Sequence, residues 1–80
     1  MVICNMKKQR RNNILILQIS SRLKEIRLEK KLSQETVYFN TDIHIGRVEA
    51  GQYNITISTL YELCKYYDIT LVDFFKGIKE

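Results

Sequence analysis

Residues 32–51, LSQETVYFNTDIHIGRVEAG, decide the fold of this chain. Near its start is Ser33, whose hydroxyl can cap a helix, and Glu35 lies in the first turn, where a negative charge suits the helix dipole. This pattern predicts a short helix that begins after the serine and ends near Asn40 or Thr41.

A second helix is predicted in the same stretch, over residues 43–50. Ile45 and Val48 are three positions apart and therefore lie on one face of such a helix. Gly51 follows at the end, and glycine readily adopts the left-handed conformation that often terminates a helix. Two short helices separated by a three- or four-residue turn form a helix-turn-helix arrangement.

Three further helices are predicted around this pair. The first covers about residues 14–30, because apolar residues recur there at spacings of three and four between charged ones. Thr56 can cap a fourth helix, and Thr70, three residues before an aspartate, can cap a fifth. The apolar positions are Ile19, Leu23 and Ile26 in the first of these helices, Ile57, Leu60, Leu63, Cys64 and Tyr67 in the fourth, and Phe74 and Phe75 in the fifth, which Gly77 can end.

The pattern as a whole predicts an all-α fold, a compact bundle of about five short helices over residues 14–80, preceded by a basic N-terminal arm over residues 1–13. A chain of 80 residues is expected to form a single domain. Such a chain buries only about 60% of the surface that it exposes when unfolded, which leaves little room for an enclosed catalytic pocket. We therefore do not expect a multi-domain enzyme.

The positive charge is concentrated at the start of the chain. Residues 1–31 contain nine Lys and Arg against two Glu, a net charge of +7, while residues 32–80 carry −3. Polyanions such as nucleic acid are natural partners of a strongly basic segment. Lys7, Lys8, Arg10 and Arg11 are expected to form either a solubilising tail or an arm that reaches DNA phosphates.

The sequence does not suggest an enzyme, a metal site or a membrane protein. It has one His and no glycine-rich phosphate loop, and Cys4 and Cys64 are too far apart in sequence to suggest a zinc site or a disulfide framework. The apolar run after the first basic cluster is too short for a signal peptide or a transmembrane helix. We therefore expect a cytoplasmic protein that has no cofactor and no small-molecule substrate.

Several motifs in combination resemble the helix-turn-helix domains of the Cro and lambda-repressor type, also called the XRE family. The resemblance covers about residues 19–75 and implies a lambda-repressor-like DNA-binding domain. It also implies an ion pair between Arg27 and Glu49 that ties the first helix to the third. The segments that carry it are residues 23–27 (LKEIR), 32–35 (LSQE), 45–51 (IGRVEAG) and the apolar pattern of residues 60–71.

The sequence departs from the family pattern between its second and third helices. The spacing from Gln34 and Glu35 to Glu49 is about three residues shorter than usual, which predicts a short recognition helix. Asp42 stands where the turn usually has glycine, and Tyr38 where the second helix usually has a small residue.

The resemblance assigns a phosphate-binding role to Ser33 and Gln34, at the start of the second helix, where exposed amide groups favour anions in any case. Arg47 is the best candidate to recognise a base, because its guanidinium matches O6 and N7 of guanine. Its alternative role is an ordinary surface charge or an ion pair with Glu35 or Glu49. The candidate DNA contacts are Ser33, Gln34, Thr41, His44, Arg47, Gln52, Tyr53 and Asn54, of which His44 could equally be incidental.

The sequence predicts a sequence-specific, repressor-like transcriptional regulator that binds double-stranded DNA. The alternative is an antitoxin-like protein-interaction module that keeps the fold but binds DNA weakly, since fold alone does not determine function. A homodimer is expected through residues 70–78, because one short helix cannot turn all of its apolar residues toward its own core. The alternative there is that Phe74 and Phe75 both fold back onto the domain.

Overall fold

The computed structural model of the protein describes residues 11–78, and all regular secondary structure in this range is α-helical. The predicted all-α class is confirmed. Lys7, Lys8, Arg10 and Cys4 lie outside the described residues. The five helices are α1 (Asn13–Glu29), α2 (Gln34–Thr41), α3 (Ile45–Glu49), α4 (Ile57–Tyr66) and α5 (Leu71–Lys76).

Side-chain caps start four of these helices. The hydroxyls of Ser33, Thr56 and Thr70 each accept a hydrogen bond from the backbone amide three residues later, at 3.0–3.1 Å, as the sequence predicts. Asn12 does the same for α1 through its side-chain oxygen, 2.9 Å from the amide of Leu15. This cap starts α1 at Asn13, one residue earlier than predicted.

Each of the four connections between helices contains a residue in the left-handed backbone conformation. Gly51 is one of them, with φ of 75°, as its position after α3 predicts. The others are Lys31, Asp42 and Asp68, each with φ near 60°. Asp42 ends α2 and its amide donates to the carbonyl of Tyr38, so an aspartate here adopts a conformation for which glycine is the usual choice.

The core is one cluster to which all five helices contribute. The predicted stripe of α1 is buried, and so is the stripe of α4 except for its first member. Ile57 is 79% exposed, so its assignment to the core is wrong, because it lies in the first turn of α4 at the edge of the domain. The cluster contains Ile19, Leu23, Ile26, Val37, Ile45, Val48, Leu60, Leu63, Cys64, Tyr67 and Phe74.

The third helix is shorter than residues 43–50. The chain is not yet helical at Ile43, whose amide donates to the hydroxyl of Thr41 at 3.2 Å and whose carbonyl accepts from Ile45. The side chain of Ile43 packs against the core from this turn. The two residues predicted to begin the helix therefore complete the turn, Ala50 at the other end is the C-cap, and α3 is reduced to five residues.

The two phenylalanines of α5 have different environments. Phe74 is fully buried, whereas Phe75 is 44% exposed and Val72 is 66% exposed. The alternative that both rings fold back onto the domain is therefore wrong. Among the residues described, no helix is long and apolar enough to cross a membrane.

Candidate nucleic-acid interface

A buried ion pair fixes α3 against α1. Arg27 donates from Nε to Oε2 of Glu49 at 2.7 Å and from Nη2 to Oε1 at 3.1 Å, so the two groups meet edge to edge. Their side chains are only 8% and 3% exposed. The hydrogen bonds from Arg27 to the carboxylate raise the pKa of the guanidinium above its usual value. The pairing implied by the family resemblance is present.

The same carboxylate also holds the start of α2. Gln34 donates from Nε2 to Oε1 of Glu49 at 3.0 Å, while Arg27 donates from Nη1 to the carbonyl of Leu32 at 2.7 Å. Gly46 lies close to the same side chain, because a Cβ there would be 3.2 Å from the Gln34 side-chain oxygen and Gln34 would have to shift by a few tenths of an ångström. Glu49 thus joins α1, α2 and α3 at one point.

Two more contacts hold the end of α3. Ser20, buried in α1, donates its hydroxyl to the carbonyl of Val48 at 2.7 Å. Arg11 donates from Nη2 to the carbonyl of Gly51 at 2.9 Å, so this residue of the predicted arm contacts the loop after α3. The sequence gives no local signal for either contact, since each joins residues at least 28 positions apart.

The opposite side of α3 presents Arg47 to solvent. Its Nη1 donates to the hydroxyl of Tyr53 at 3.2 Å, and its backbone carbonyl accepts from the amide of Gln52 at 3.2 Å. The loop therefore turns back so that Tyr53, 40% exposed, lies beside the guanidinium. The alternative that Arg47 pairs with Glu35 or Glu49 is wrong. The carboxylate of Glu49 accepts from Arg27 and Gln34, and no ion pair joins Arg47 to Glu35 among residues 11–78.

His44 directly precedes α3 and stacks on Tyr38 of α2. The ring centroids are 4.6 Å apart with an interplanar angle of 26°. Tyr38 is 42% exposed, so the bulky residue that departs from the family pattern lies at the surface and leaves the core undisturbed. Sequence reasoning did not connect these two aromatic residues, although both flank the predicted turn.

The remaining predicted contacts have different surroundings. Thr41 is used within the turn, since its hydroxyl donates to the carbonyl of Val37 at 2.7 Å. Ser33 caps α2 and is exposed, and Asn54 is half-buried in the loop. One surface groove brings four predicted contacts together with the arm, and its lining includes Arg11, His44, Gln52, Tyr53 and Asn54.

With this geometry established, comparison with known proteins identifies the family. A family model described as helix-turn-helix matches residues 23–74, about two thirds of the chain. The chain belongs to the helix-turn-helix family. The resemblance to the Cro and lambda-repressor type is confirmed.

The helix-turn-helix domain is also similar to a solved structure. It is the crystal structure of the restriction-modification controller protein C.Esp1396I, determined as a tetramer in complex with its natural 35 base-pair operator. The two chains are 29% identical, the TM-score is 0.74, and the match covers 81% of this chain and 90% of the other. No curated protein sequence matches this chain.

Proposed function

We propose that this protein is a sequence-specific, DNA-binding transcriptional regulator that inserts α3 into the major groove. The helix-turn-helix family and the controller protein with its operator support a DNA-binding regulator rather than an enzyme. One observation carries the finer assignment to α3. The side of α3 that faces α1, its inner side, is held by the buried Arg27 and Glu49 pair. Arg47 is therefore exposed on the opposite, outer side.

The roles of the exposed groups follow from their chemistry. Arg47 contacts a guanine, because only the guanidinium offers a pair of donors that matches O6 and N7. Ser33, Gln52 and Tyr53 bind phosphates, as hydroxyl and amide groups beside a recognition helix commonly do. The further contacts proposed are Gln34, Thr41, His44 and Asn54. Gln34 and Thr41 already make hydrogen bonds within the domain, which limits their contacts to the atoms left over.

The DNA-binding form is proposed to be a homodimer. A recognition helix of five residues contacts too few base pairs to select one site among roughly 10⁶ or more competitors in a genome. Two-fold symmetry doubles the site that is recognised and places the half-sites about 34–36 Å apart. The exposed Val72 and Phe75 of α5 supply the apolar surface for association.

Sedimentation at micromolar concentration, with and without operator DNA, tests the dimer. We expect a dimer at least on DNA, and a Phe75→Glu variant that stays folded should become monomeric and lose affinity. Glu62→Ala on α4 is the control for a change in surface charge. A monomer under both conditions, or parental affinity in the Phe75→Glu variant, contradicts the proposal.

Selection of bound fragments from genomic DNA, followed by salt titration, tests the function itself. A specific regulator should enrich one sequence, bind it about 10³-fold or more tightly than random DNA, and lose affinity steeply with salt. Arg47→Ala should cost about 1–3 kcal/mol at the selected site and relax preference at one base pair. Arg47→Lys keeps the charge and loses the paired donors, so it should lose preference with less loss of overall affinity.

A protein-interaction module, such as an antitoxin, is the second candidate. The observation that favours it is Phe39 of α2, an aromatic side chain that is 87% exposed. The fragment selection separates the two functions. A module of this kind would enrich no sequence, and Arg47→Ala would leave its weak DNA binding without any change in base preference.

A further inference from the structure

Arg47 and Tyr53 form a contact that the proposed phosphate role of Tyr53 does not explain. Nη1 of Arg47 donates to the tyrosine hydroxyl at 3.2 Å, so the hydroxyl oxygen is the acceptor and its own proton is still available to a second partner. The bond uses one of the five N–H groups of the guanidinium. On another edge of the guanidinium, Nε and Nη2 each carry an N–H, and these two donors point in parallel.

The backbone places Tyr53 at this position independently of the bond to Arg47. Gly51 adopts the left-handed conformation, and the amide of Gln52 donates to the carbonyl of Arg47, so the chain reverses directly after α3. Arg11 also stabilises this reversal, because its side chain donates a hydrogen bond to the carbonyl of Gly51. The tyrosine is therefore carried on a loop that is held at two points, and its hydroxyl can act as a fixed acceptor.

A fixed acceptor changes how an arginine binds a base. A free arginine side chain samples many rotamers and loses conformational entropy when it is immobilised. An acceptor at Nη1 orients the plane of the guanidinium before DNA arrives, and this reduces the entropy lost on binding. It also limits the directions in which the remaining donors point, so a base with a different pattern of acceptors is matched less well.

We propose that Tyr53 is a positioning residue for Arg47 and thereby determines the preference of α3 for guanine. Its hydroxyl holds Nη1, and the Nε and Nη2 edge of Arg47 faces O6 and N7 of the base. The inference rests on the proposed function and gives Tyr53, which lies outside the recognition helix, a role beyond its proposed phosphate contact. A tyrosine acting in this way affects base preference, whereas a phosphate contact affects binding to all sequences alike.

Tyr53→Phe tests this directly, because it removes only the hydroxyl. The measurement is the ratio of affinities for the selected operator and for operators in which each guanine of the half-site is replaced in turn. We expect the ratio at one guanine to fall by about three- to tenfold, the size of one hydrogen bond of about 1 kcal/mol. Tyr61→Phe makes the same chemical change on an exposed tyrosine of α4 and should leave the ratio unchanged.

A second measurement combines the two changes. If Tyr53 acts through Arg47, then Tyr53→Phe should not alter base preference in a protein that already carries Arg47→Ala, so the two effects are not additive. Equal loss of affinity at every sequence, or a further loss of base preference in the Arg47→Ala background, overturns the positioning role. So does parental preference in Tyr53→Phe.

The failure of the proposed function would look different. A parental protein that enriches no sequence refutes both the function and this inference. A parental protein that prefers guanine at one position and loses this preference with Arg47→Ala supports the function. If Tyr53→Phe then has no effect, only the positioning role is refuted.

Discussion

The two sides of α3 contrast sharply. On the inner side, Glu49 is nearly inaccessible and accepts hydrogen bonds from Arg27 and Gln34. On the outer side, Arg47 is exposed and contacts Tyr53 of the following loop. The inner contacts join three helices, whereas the outer contact joins the helix only to its neighbouring loop.

This contrast explains how so short a helix is compatible with the recognition role proposed for it. Five residues form little more than one turn, and isolated helices of this length are not stable in water. Tertiary contacts must therefore hold α3, and Glu49, Ser20 and the buried Ile45 and Val48 supply them. Because these contacts all lie on one side, the other side can bind DNA without carrying the stability of the domain.

The largest expected effect is on the inner side. Glu49→Ala leaves the guanidinium of Arg27 buried without its carboxylate, and removal of one partner of a buried pair costs about 3–5 kcal/mol. At about 4–8 °C per kcal/mol for a domain of this size, the melting temperature should fall by more than 10 °C. Thermal and urea denaturation measure the change.

Glu62→Ala on α4 is the matched control, since its carboxylate is exposed. It should change the free energy of unfolding by no more than about 0.5 kcal/mol. If Glu49→Ala melts within a degree or two of the parental protein, the ion pair does not hold α3. The inner side would then contribute no more to stability than the outer side.

The next effect has the opposite sign. Tyr67 is 1% exposed, and its hydroxyl has no hydrogen-bond partner among residues 11–78. An unsatisfied buried polar group costs about 1–3 kcal/mol, so Tyr67→Phe should stabilise the protein by up to that amount. Tyr66→Phe is the control, because the hydroxyl of Tyr66 accepts from Asn40 at 2.8 Å and its removal should not stabilise. Loss of stability in Tyr67→Phe would contradict the prediction.

The same tyrosine predicts a dependence on pH. Burial raises the pKa of the Tyr67 phenol well above its usual value of about 10, and the negative charge of Glu49 raises it further. Between the unfolded and the folded pKa, the unfolded chain releases this proton while the folded chain keeps it. Stability therefore falls as the pH rises above about 10, by at most about 1.4 kcal/mol per pH unit for this group. Urea denaturation between pH 9 and 11 should show a shallower decline for Tyr67→Phe than for the parental protein.

A smaller effect is expected at the second tie between α1 and α3. Ser20→Ala removes the hydrogen bond to the carbonyl of Val48, but this carbonyl also accepts from the amide of Gly51 at 3.1 Å and is not left unsatisfied. The cost should therefore be that of the bond alone, about 0.5–1.5 kcal/mol. Ser21→Ala, at the exposed neighbouring position, should be neutral or slightly stabilising because alanine favours helix. Equal effects of the two changes would show that the buried hydroxyl does not hold α3.

The features of the fold that the sequence predicted correctly are mainly local ones. Ser33, Thr56 and Thr70 start helices because a cap depends on the residue itself and on the three that follow, all of which are visible in the sequence. The start of α3 was predicted two residues too early because the turn uses the amide of Ile43 to bond the hydroxyl of Thr41, and periodicity carries no signal for such a contact. Ile57 has helical spacing but lies beyond the edge of the core.

The candidate site shows the same limit. The Arg27 and Glu49 pair was available only through the family resemblance, since its members are 22 positions apart. Gln34 was assigned to phosphate, and its hydrogen bond to Glu49 joins residues 15 positions apart, for which the sequence carries no local signal. Residue types and spacing predict DNA contacts for Arg47 and Tyr53, and these stay predictions. Their contact with each other follows from the reversal of the chain at Gly51.

The smallest effect on stability is expected on the outer side, and it is the one that tests the contrast most directly. Arg47→Ala removes an exposed hydrogen bond and a positive charge near the end of α3. The favourable interaction of that charge with the helix dipole contributes about 0.3–1 kcal/mol at most. Alanine restores part of this, because it has the highest helix propensity. The free energy of unfolding should therefore change by no more than about 0.5 kcal/mol, although the same variant loses base preference. Arg47→Lys, which keeps the charge, should match the parental stability. A loss in Arg47→Ala as large as that in Glu49→Ala would mean that the outer contacts also hold the helix, and that binding and stability are not separated on α3.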